Sequence, residues 1–104
     1  MKYLKTFENY TDQVNVYWKI DCKSLPYVKA SLMKIGANYS MIEYAIKEYT
    51  DGFFYICKGF EEGDSDIWWY SSRSFKEFKN DKKMKFLGIV KVTNEEIDAY
   101  KYNL

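Results

Sequence analysis

Two aromatic-rich segments on either side of an acidic turn constrain the fold of this chain more than any other feature. Residues 53–58 (FFYICK) are apolar at almost every position, and residues 67–71 (IWWYS) repeat this character after the turn EEGDSD at 61–66. Short apolar runs bounded by turn residues are typical of strands that are buried on both faces. The three segments together predict a β-hairpin.

A strand and a helix are predicted ahead of this hairpin. Residues 14–21 (VNVYWKID) alternate between apolar and polar side chains, which is typical of a half-buried strand. In the helix that follows, Ser24 can cap the first turn, Pro26 suits that turn, and Gly36 can end the helix. The apolar stripe of this helix consists of Leu25, Val28, Leu32 and Ile35.

Residues 40–49 carry two conflicting signals. Ser40 and Glu43 form a capping-box pattern that favours a short helix. The dipeptide Asp51-Gly52 directly afterwards is instead a signal for a hairpin between two strands. We favour the helix for this segment.

The second half of the chain adds two helices and a strand to the prediction. Ser74 and Glu77 fit another capping box, which predicts a short helix beyond the hairpin. Residues 86–92 (FLGIVKV) are typical of a strand, and Thr93 with Glu96 predicts a capped final helix. We therefore expect one domain over residues 1–104, of the α+β class, with an antiparallel sheet of about four strands packed with short helices.

The same periodicity predicts which side chains form the core. Five of them lie on the apolar face of their element or within an apolar strand, and we expect these to be almost fully buried. They are Val16, Trp18, Leu32, Ile56 and Val90. Cys57 lies in the middle of a predicted strand and is expected in the core, since free cysteine is among the most buried residue types.

Aromatic residues are abundant and histidine is absent. The 104 residues include eleven Tyr, seven Phe and three Trp. Because imidazole is the commonest proton-transfer group, this composition predicts a binding protein rather than an enzyme, with no catalytic residues. Two cysteines without histidine cannot make a four-ligand zinc site, and the acidic turn lacks the spacing of a calcium loop. We expect neither a metal nor a cofactor.

The chain shows no targeting signal. Residues 1–10 (MKYLKTFENY) lack the unbroken apolar core of a signal peptide, and no apolar run reaches membrane-spanning length. Cys22 and Cys57 are expected to be reduced thiols, as in a cytosolic protein. The sequence therefore predicts a cytoplasmic protein without a membrane partner.

A candidate partner surface follows from the end of the hairpin. Trp68 and Trp69 are adjacent in a predicted strand, so their side chains point to opposite faces, and one is exposed beside Tyr70 unless both faces are covered. Segment 73–85 then carries six basic residues against two acidic ones. The basic residues are Arg73, Lys76, Lys79, Lys82, Lys83 and Lys85. We expect these aromatic and basic side chains to bind a partner. The alternatives are a two-sided core for the tryptophans and a solvated face for the charges.

Two stretches carry a resemblance. Residues 1–12 (MKYLKTFENYTD) and 85–101 (KFLGIVKVTNEEIDAYK) resemble the opening and the close of small proteins encoded by phages and prophages of AT-rich bacteria. These stretches cover under a third of the chain and contain no functional motif, so no functional residue is carried over. The resemblance implies a phage accessory protein, a class in which inhibitors of bacterial defence, of the anti-CRISPR type, are prominent.

The sequence thus predicts a non-enzymatic binding protein that acts in the cytosol of a bacterial host. We expect it to occlude a surface on a host protein or ribonucleoprotein, such as a CRISPR nuclease. One alternative is an RNA- or nucleotide-binding module that uses exposed aromatic residues and lysines. Another is a structural or assembly component of a phage particle. A net charge of +1 and a single arginine argue against general nucleic-acid binding.

Overall fold

Four strands and three helices make up most of the chain that the computed structural model describes, which comprises residues 14–60, 66–74 and 84–100. In chain order they are β1 (Asn15–Asp21), α1 (Leu25–Lys34), α2 (Tyr39–Glu48), β2 (Phe53–Phe60), β3 (Ile67–Ser72), β4 (Met84–Ile89) and α3 (Asn94–Tyr100). The predicted α+β class is confirmed. Within these ranges no helix has both the length and the apolar character needed to cross a membrane.

The strands form one mixed sheet in the order β3-β2-β1-β4. The pairs β1–β2 and β2–β3 are antiparallel, as predicted, but β1 and β4 run parallel. The prediction of a wholly antiparallel sheet is therefore wrong at this one pair. β3 and β4 lie at opposite edges of the sheet, so they are not paired with each other as a hairpin, which would require them to be antiparallel.

One face of the sheet, here called the helix face, packs against α1 and α2. It carries Trp18 and Ile20 of β1, Phe54 and Ile56 of β2, and Trp69 of β3. The helices contribute further buried residues to the core, chiefly Val28, Leu32, Ile42 and Ala45. All strand residues of the cluster that contacts the helices lie on this face, so the two helices cover one side of the sheet.

The ends of α1 follow the predicted capping chemistry. The backbone N–H of Tyr27 donates to Oγ of Ser24 over 3.3 Å, and Gly36 adopts a φ of +78° just after the helix ends. Val28 and Leu32 are buried as the stripe predicted, but Leu25 is 53% exposed. The prediction for Leu25 is wrong because the first helical turn extends to a groove beside α3.

Helix α2 confirms the helical interpretation of residues 40–49, although its cap is not Ser40. Asn38 caps the helix, because its Oδ1 accepts the backbone N–H of Met41 over 2.8 Å. At the other end, the ring of Tyr49 stacks on Phe54, with centroids 4.1 Å apart. The Tyr49 hydroxyl also donates to Oγ of Ser71 over 3.1 Å, so this residue joins α2 to β2 and β3.

The last strand is shifted from its predicted position, whereas the last helix begins as predicted. Strand β4 begins at Met84 and ends at Ile89 rather than covering residues 86–92. Val90 leaves the strand but donates its N–H to the Lys19 carbonyl over 3.0 Å. The predicted Thr93–Glu96 capping box is confirmed, since each residue accepts the other's backbone N–H over 3.1 Å.

Lys34 joins α1 to the loop and helix that follow β4. Its ammonium group lies 2.9 Å from one carboxylate oxygen of Glu96 and donates to the Lys91 carbonyl over 2.8 Å. The hydrogen bonds from Lys34 and from the Thr93 backbone lower the pKa of Glu96. Both partners are accessible to water, so the pair fixes orientation more than it adds stability.

Burial of the predicted core is confirmed for Leu32, Ile56 and Val90. It is wrong for Val16 and Trp18, which are only partly buried. The helices pack over the half of the sheet around Ile20, where they reach Phe54 and Ile56, while Val16 lies towards the other end of β1. Cys57 is fully buried, as predicted, but on the side of the sheet opposite the helices.

Two leucines of α1 provide a matched test of this packing. Leu32 is fully buried whereas Leu25 is largely exposed. We expect Leu32→Ala to lower the free energy of unfolding by about 2–5 kcal/mol, because it leaves a cavity in the core. Leu25→Ala should change it by no more than about 0.5 kcal/mol. Urea denaturation of both variants measures the difference, and equal losses would contradict the assigned helix orientation.

Candidate functional site

The side of the sheet opposite the helices is lined with aromatic side chains and is here called the aromatic face. Side chains alternate along a strand, so the residues that lie between those of the helix face point to the aromatic face. Its aromatic residues are Tyr17, Phe53, Tyr55, Trp68, Tyr70 and Phe86. The strand register aligns Phe86, Tyr17, Cys57 and Tyr70 in one row across all four strands.

Ring contacts connect the aromatic residues of the central strands. The ring of Tyr17 lies 4.8 Å from that of Phe86 and 6.1 Å from that of Tyr55, measured between centroids. The Lys19 ammonium lies 4.5 Å from the centroid of Phe53 and 5.9 Å from that of Tyr55. These cation–π contacts hold the only described lysine of this face flat against two aromatic rings.

Several apolar side chains of this face are accessible to solvent. Phe53 is 42% exposed, Tyr70 is 46% exposed, and Phe86 and Ile89 are each 47% exposed. Tyr17 and Tyr55 between them are partly buried, and Cys57 beneath them is fully buried. Exposed apolar side chains grouped on one face of a sheet are a candidate interaction surface.

Gly59 allows Trp68 to lie against the sheet. The register pairs the two residues on the aromatic face, and a Cβ atom at Gly59 would overlap the indole ring of Trp68. Any other residue at position 59 would therefore displace the ring. This close approach explains why Trp68 is only partly buried rather than projecting from the surface.

Trp69 points to the helix face, so the prediction that the two tryptophans face opposite ways is confirmed. Its ring stacks with that of Trp18 at a centroid distance of 6.3 Å and an interplanar angle of 19°. The Lys58 ammonium lies 5.9 Å from the Trp69 ring. Trp69, like Trp68, is partly buried, whereas their neighbour Tyr70 is exposed.

Arg73, predicted as part of the partner surface, makes structural contacts. Its guanidinium donates to the carbonyls of Asp51 and Phe53 over 2.8 Å and 3.0 Å, and to the Asp51 carboxylate over 2.9 Å. It also lies 5.3 Å from the Tyr49 ring. Arg73 therefore secures the turn between α2 and β2, where Gly52 adopts a φ of +70°.

Of the remaining predicted basic residues, the structure describes only Lys85, which does not lie on the aromatic face. Lys85 is exposed on β4, aligned with Val16, and the full width of the sheet separates β4 from Tyr70 on β3. The other predicted lysines lie outside the described residues; these are Lys76, Lys79, Lys82 and Lys83. Of the predicted set within the described ranges, the structure places Trp68 and Tyr70 together on this face.

The described residues offer little for covalent or metal chemistry. Burial raises the pKa of the Cys57 thiol to about 12, and burial likewise raises that of Cys22. Neither thiol is therefore a thiolate near neutral pH, which a cysteine nucleophile requires. Within the same part of the chain, no three potential metal ligands lie close enough together to hold an ion.

A concave region lies between α1 and α3. Its volume is about 410 Å³. The lining is mainly apolar, from Leu25, Pro26, Ala30 and Ile97, with Lys29, Asp98 and Tyr100 as its polar residues. It adjoins no other candidate residue, so the aromatic face remains the stronger candidate site.

The sequence interpretation missed several of the residues that define the aromatic face. Phe53 and Tyr55 occupy alternate positions of a strand that was interpreted as buried on both faces, and Tyr17 lies on the polar side of β1. The alternation along β1 contained the signal for this face. Tyr17 is an aromatic residue on the side of β1 that also carries Asn15, Lys19 and Asp21, so it extends the apolar surface of β2 across β1.

No family model matches this chain, and comparisons with curated proteins and with solved structures find no similar protein.

The contact between Gly59 and Trp68 gives a specific prediction. Gly59→Ala should lower the free energy of unfolding by about 1–3 kcal/mol, because the new methyl group forces the indole from its position. In a Trp68→Ala background the same substitution should cost much less, since the ring is gone. Chemical denaturation of the parent, the two single variants and the double variant completes this double-mutant cycle. Equal costs in both backgrounds would show that Trp68 does not lie over Gly59.

Burial of Cys57 predicts a dependence of stability on alkaline pH. Its folded-state pKa of about 12 lies above the ordinary value of 9.0, so between these values only the unfolded chain releases the proton. Stability should therefore fall as pH rises above 9.0, by at most about 1.4 kcal/mol per pH unit from this group. Cys57→Ala should show a shallower fall in urea denaturation across this range. Parallel curves for the two proteins would contradict the burial of the thiol.

Proposed function

We propose that this chain is a non-enzymatic binding protein that covers a surface of a partner protein with its aromatic face. The observation that supports this proposal is one-sided covering of the sheet. The helices α1 and α2 pack against the helix face, while Phe53, Tyr70 and Phe86 on the opposite side remain 42–47% exposed. Aromatic side chains on a rigid surface are the commonest anchors of protein interfaces.

The charges on this face favour a protein partner over a nucleic acid. Its described charged side chains are Lys19 and Asp21, which balance each other. Lys58 and Lys85 both align with Val16, whose side chain belongs to the opposite side of the sheet. A surface without net charge attracts a phosphate backbone weakly, but it matches the depletion of charge at the centre of protein interfaces.

The aromatic face is also well ordered before it binds. Its central residues lie on β1 and β2, whose other sides carry Ile20, Phe54 and Ile56 into the core. Since these strands are already fixed, binding orders few additional backbone torsions and loses less conformational entropy. Phe53 and Tyr70 flank the partly buried ring of Tyr55 and complete a broad apolar surface.

Inhibition of a bacterial defence system is the biological role that we propose for this binding. The resemblance of residues 1–12 and 85–101 to small phage proteins supports such a role in the host cytosol. Occlusion of a host protein or ribonucleoprotein, such as a CRISPR nuclease, requires a complementary surface and no catalytic group. The raised pKa values of both buried thiols agree with a function that depends on surface rather than on chemistry.

Binding of single-stranded RNA is a second candidate, and one observation favours it. Lys19 lies between Phe53 and Tyr55 on a sheet face that α1 and α2 leave uncovered. Bases can stack on aromatic rings of such a sheet while a cation binds the backbone. Affinity for RNA would fall steeply as salt concentration rises, whereas affinity for a protein through apolar anchors would change little.

Substitution of the exposed aromatic residues tests the proposed surface. The tagged protein is used to capture partners from a host lysate with and without nuclease, and affinity for the captured partner is then measured. We expect Phe53→Ala and Tyr70→Ala each to weaken binding by about 2 kcal/mol, or roughly 30-fold, through loss of an anchor. Tyr39→Ala and Tyr44→Ala are matched controls, because both residues are exposed on α2, and they should bind like the parent.

Two outcomes would contradict the proposal. If all four variants bind the partner like the parent, the aromatic face is not the contact surface. If nuclease treatment abolishes capture and affinity for the purified RNA falls steeply with salt, the second candidate replaces the first. Thermal melts of Phe53→Ala and Tyr70→Ala should match the parent closely, so that lost binding cannot be attributed to unfolding.

A further inference from the structure

Lys19 lies on a central strand of the aromatic face and lacks an oxygen acceptor within the described part of the chain. Its ammonium lies 4.5 Å from the centroid of the Phe53 ring and 5.9 Å from that of the Tyr55 ring. The side chain is partly buried, and among the described residues it takes part in neither a hydrogen bond nor an ion pair. A ring face attracts the charge without supplying an oxygen acceptor, so the three donors of this ammonium remain available to a partner.

Asp21 adds a carboxylate to the same face, two positions farther along β1. Side chains at alternate positions of a strand point to one side, and the two Cα atoms lie about 7 Å apart in an extended strand. The two ion pairs among the described residues involve other side chains. The face therefore carries one cation and one carboxylate that do not neutralise each other by direct contact.

Exposed apolar side chains flank this charge pair on the neighbouring strands. Phe53 of β2 is 42% exposed and aligned with Asp21, and Ile89 of β4 is 47% exposed and aligned with Lys19. When a partner covers such an apolar border, water is excluded, and an interaction with either charge becomes stronger than it is in water. Two charges within an apolar border therefore favour a partner whose own charges are placed opposite to them.

We propose that the partner protein presents a carboxylate to Lys19 and a basic side chain to Asp21, beside an apolar side chain that packs against Phe53. This inference rests on the proposed function, because it assigns the chemistry of the partner at the same face. Complementary charges of this kind set the specificity and the orientation of an interface. Since Lys19 is already held over two rings, its side chain loses less rotamer entropy when a carboxylate binds.

The carboxylate of Asp21 disfavours a phosphate-rich partner. A nucleic-acid strand repeats its negative charge at every nucleotide, so a strand bound to Lys19 would also bring phosphate near Asp21. Repulsion between like charges is a common way for an interface to reject a wrong partner. Arg73, whose guanidinium donates to the Phe53 carbonyl, does not offset this repulsion freely, because it is already paired with Asp51 over 2.9 Å. A single carboxylate with a cation beside it fits the two charges of this face better.

Selection of peptides from a random library tests this partner chemistry. A phage-displayed library of short random peptides is selected on the immobilised protein, and the enriched sequences are synthesised for affinity measurements. We expect the enriched sequences to combine an acidic, a basic and an apolar residue within a few positions. Replacing the acidic residue of such a peptide by its amide should raise the Kd for the parent about tenfold, because a charge-assisted hydrogen bond is lost.

Lys19→Met tests which side chain binds the carboxylate, since it removes the charge but keeps an unbranched side chain over the rings. It should raise the Kd of the acidic peptide about tenfold, and the amide substitution in the peptide should then have little further effect. Lys58→Met is the matched control. Lys58 is also partly buried, and its ammonium lies 5.9 Å from the rings of Phe60 and Trp69, but on the other side of the sheet. That variant should bind like the parent, and thermal melts of both variants should match the parent closely.

Asp21→Asn tests the second charge in the same way. It should weaken binding of the same peptide, because the basic residue of the peptide loses its carboxylate. This loss should largely disappear when the basic residue of the peptide is replaced by glutamine.

Three results would overturn the inference. They are enriched peptides without acidic residues, an amide substitution that costs the parent and Lys19→Met the same affinity, and a single-stranded RNA oligonucleotide that displaces the peptides and loses affinity in Lys19→Met. Phe53→Ala separates this failure from failure of the proposed function. If Phe53→Ala loses affinity for enriched peptides that lack an acidic residue, the aromatic face is the contact surface and only the charge assignment is wrong. If Phe53→Ala binds every enriched peptide like the parent, the aromatic face is not the contact surface and both proposals fail.

Discussion

One-sided packing of the sheet is the constraint on which the rest of this structure depends. The core forms where Ile20, Phe54 and Ile56 of the central strands meet Leu32 and Ala45 of α1 and α2. A sheet in a small domain must bury at least one face against other elements to be stable. Both of these helices pack against the same face, so among the residues that the structure describes the other face is formed by side chains of the sheet itself.

Side chains of the aromatic face shield one another where α1 and α2 do not cover the sheet. Tyr17 contacts Phe86 and Tyr55, Lys19 lies over Phe53 and Tyr55, and Cys57 beneath them is fully buried. These contacts shield the centre of the face but leave its margins exposed. The same residues that stabilise the sheet thus provide an apolar surface for a partner, and their rigidity follows from the core on the opposite side.

Local sequence rules predicted the parts of the fold that depend on neighbouring residues. The Ser24 cap and the reciprocal Thr93–Glu96 cap formed as predicted, because each involves side chains within three positions of the backbone they bind. The opposite orientations of Trp68 and Trp69 followed from strand alternation alone. One exposed tryptophan beside Tyr70 was expected, but both tryptophans are partly buried and Tyr70 is the exposed residue. Phe53 was missed because its strand was assumed to be covered on both sides.

By itself, then, the sequence determined the α+β class, the helical state of residues 40–49 and the burial of Cys57, since periodicity and composition encode them. Only the tertiary structure decided that β4 pairs parallel to β1 and that Val16 and Trp18 stay partly accessible. It also decided that Arg73 holds the turn at Asp51, a contact between residues 22 positions apart. These features depend on the order of the strands in the sheet and on which face the helices cover, and such long-range choices leave no periodic trace in the sequence.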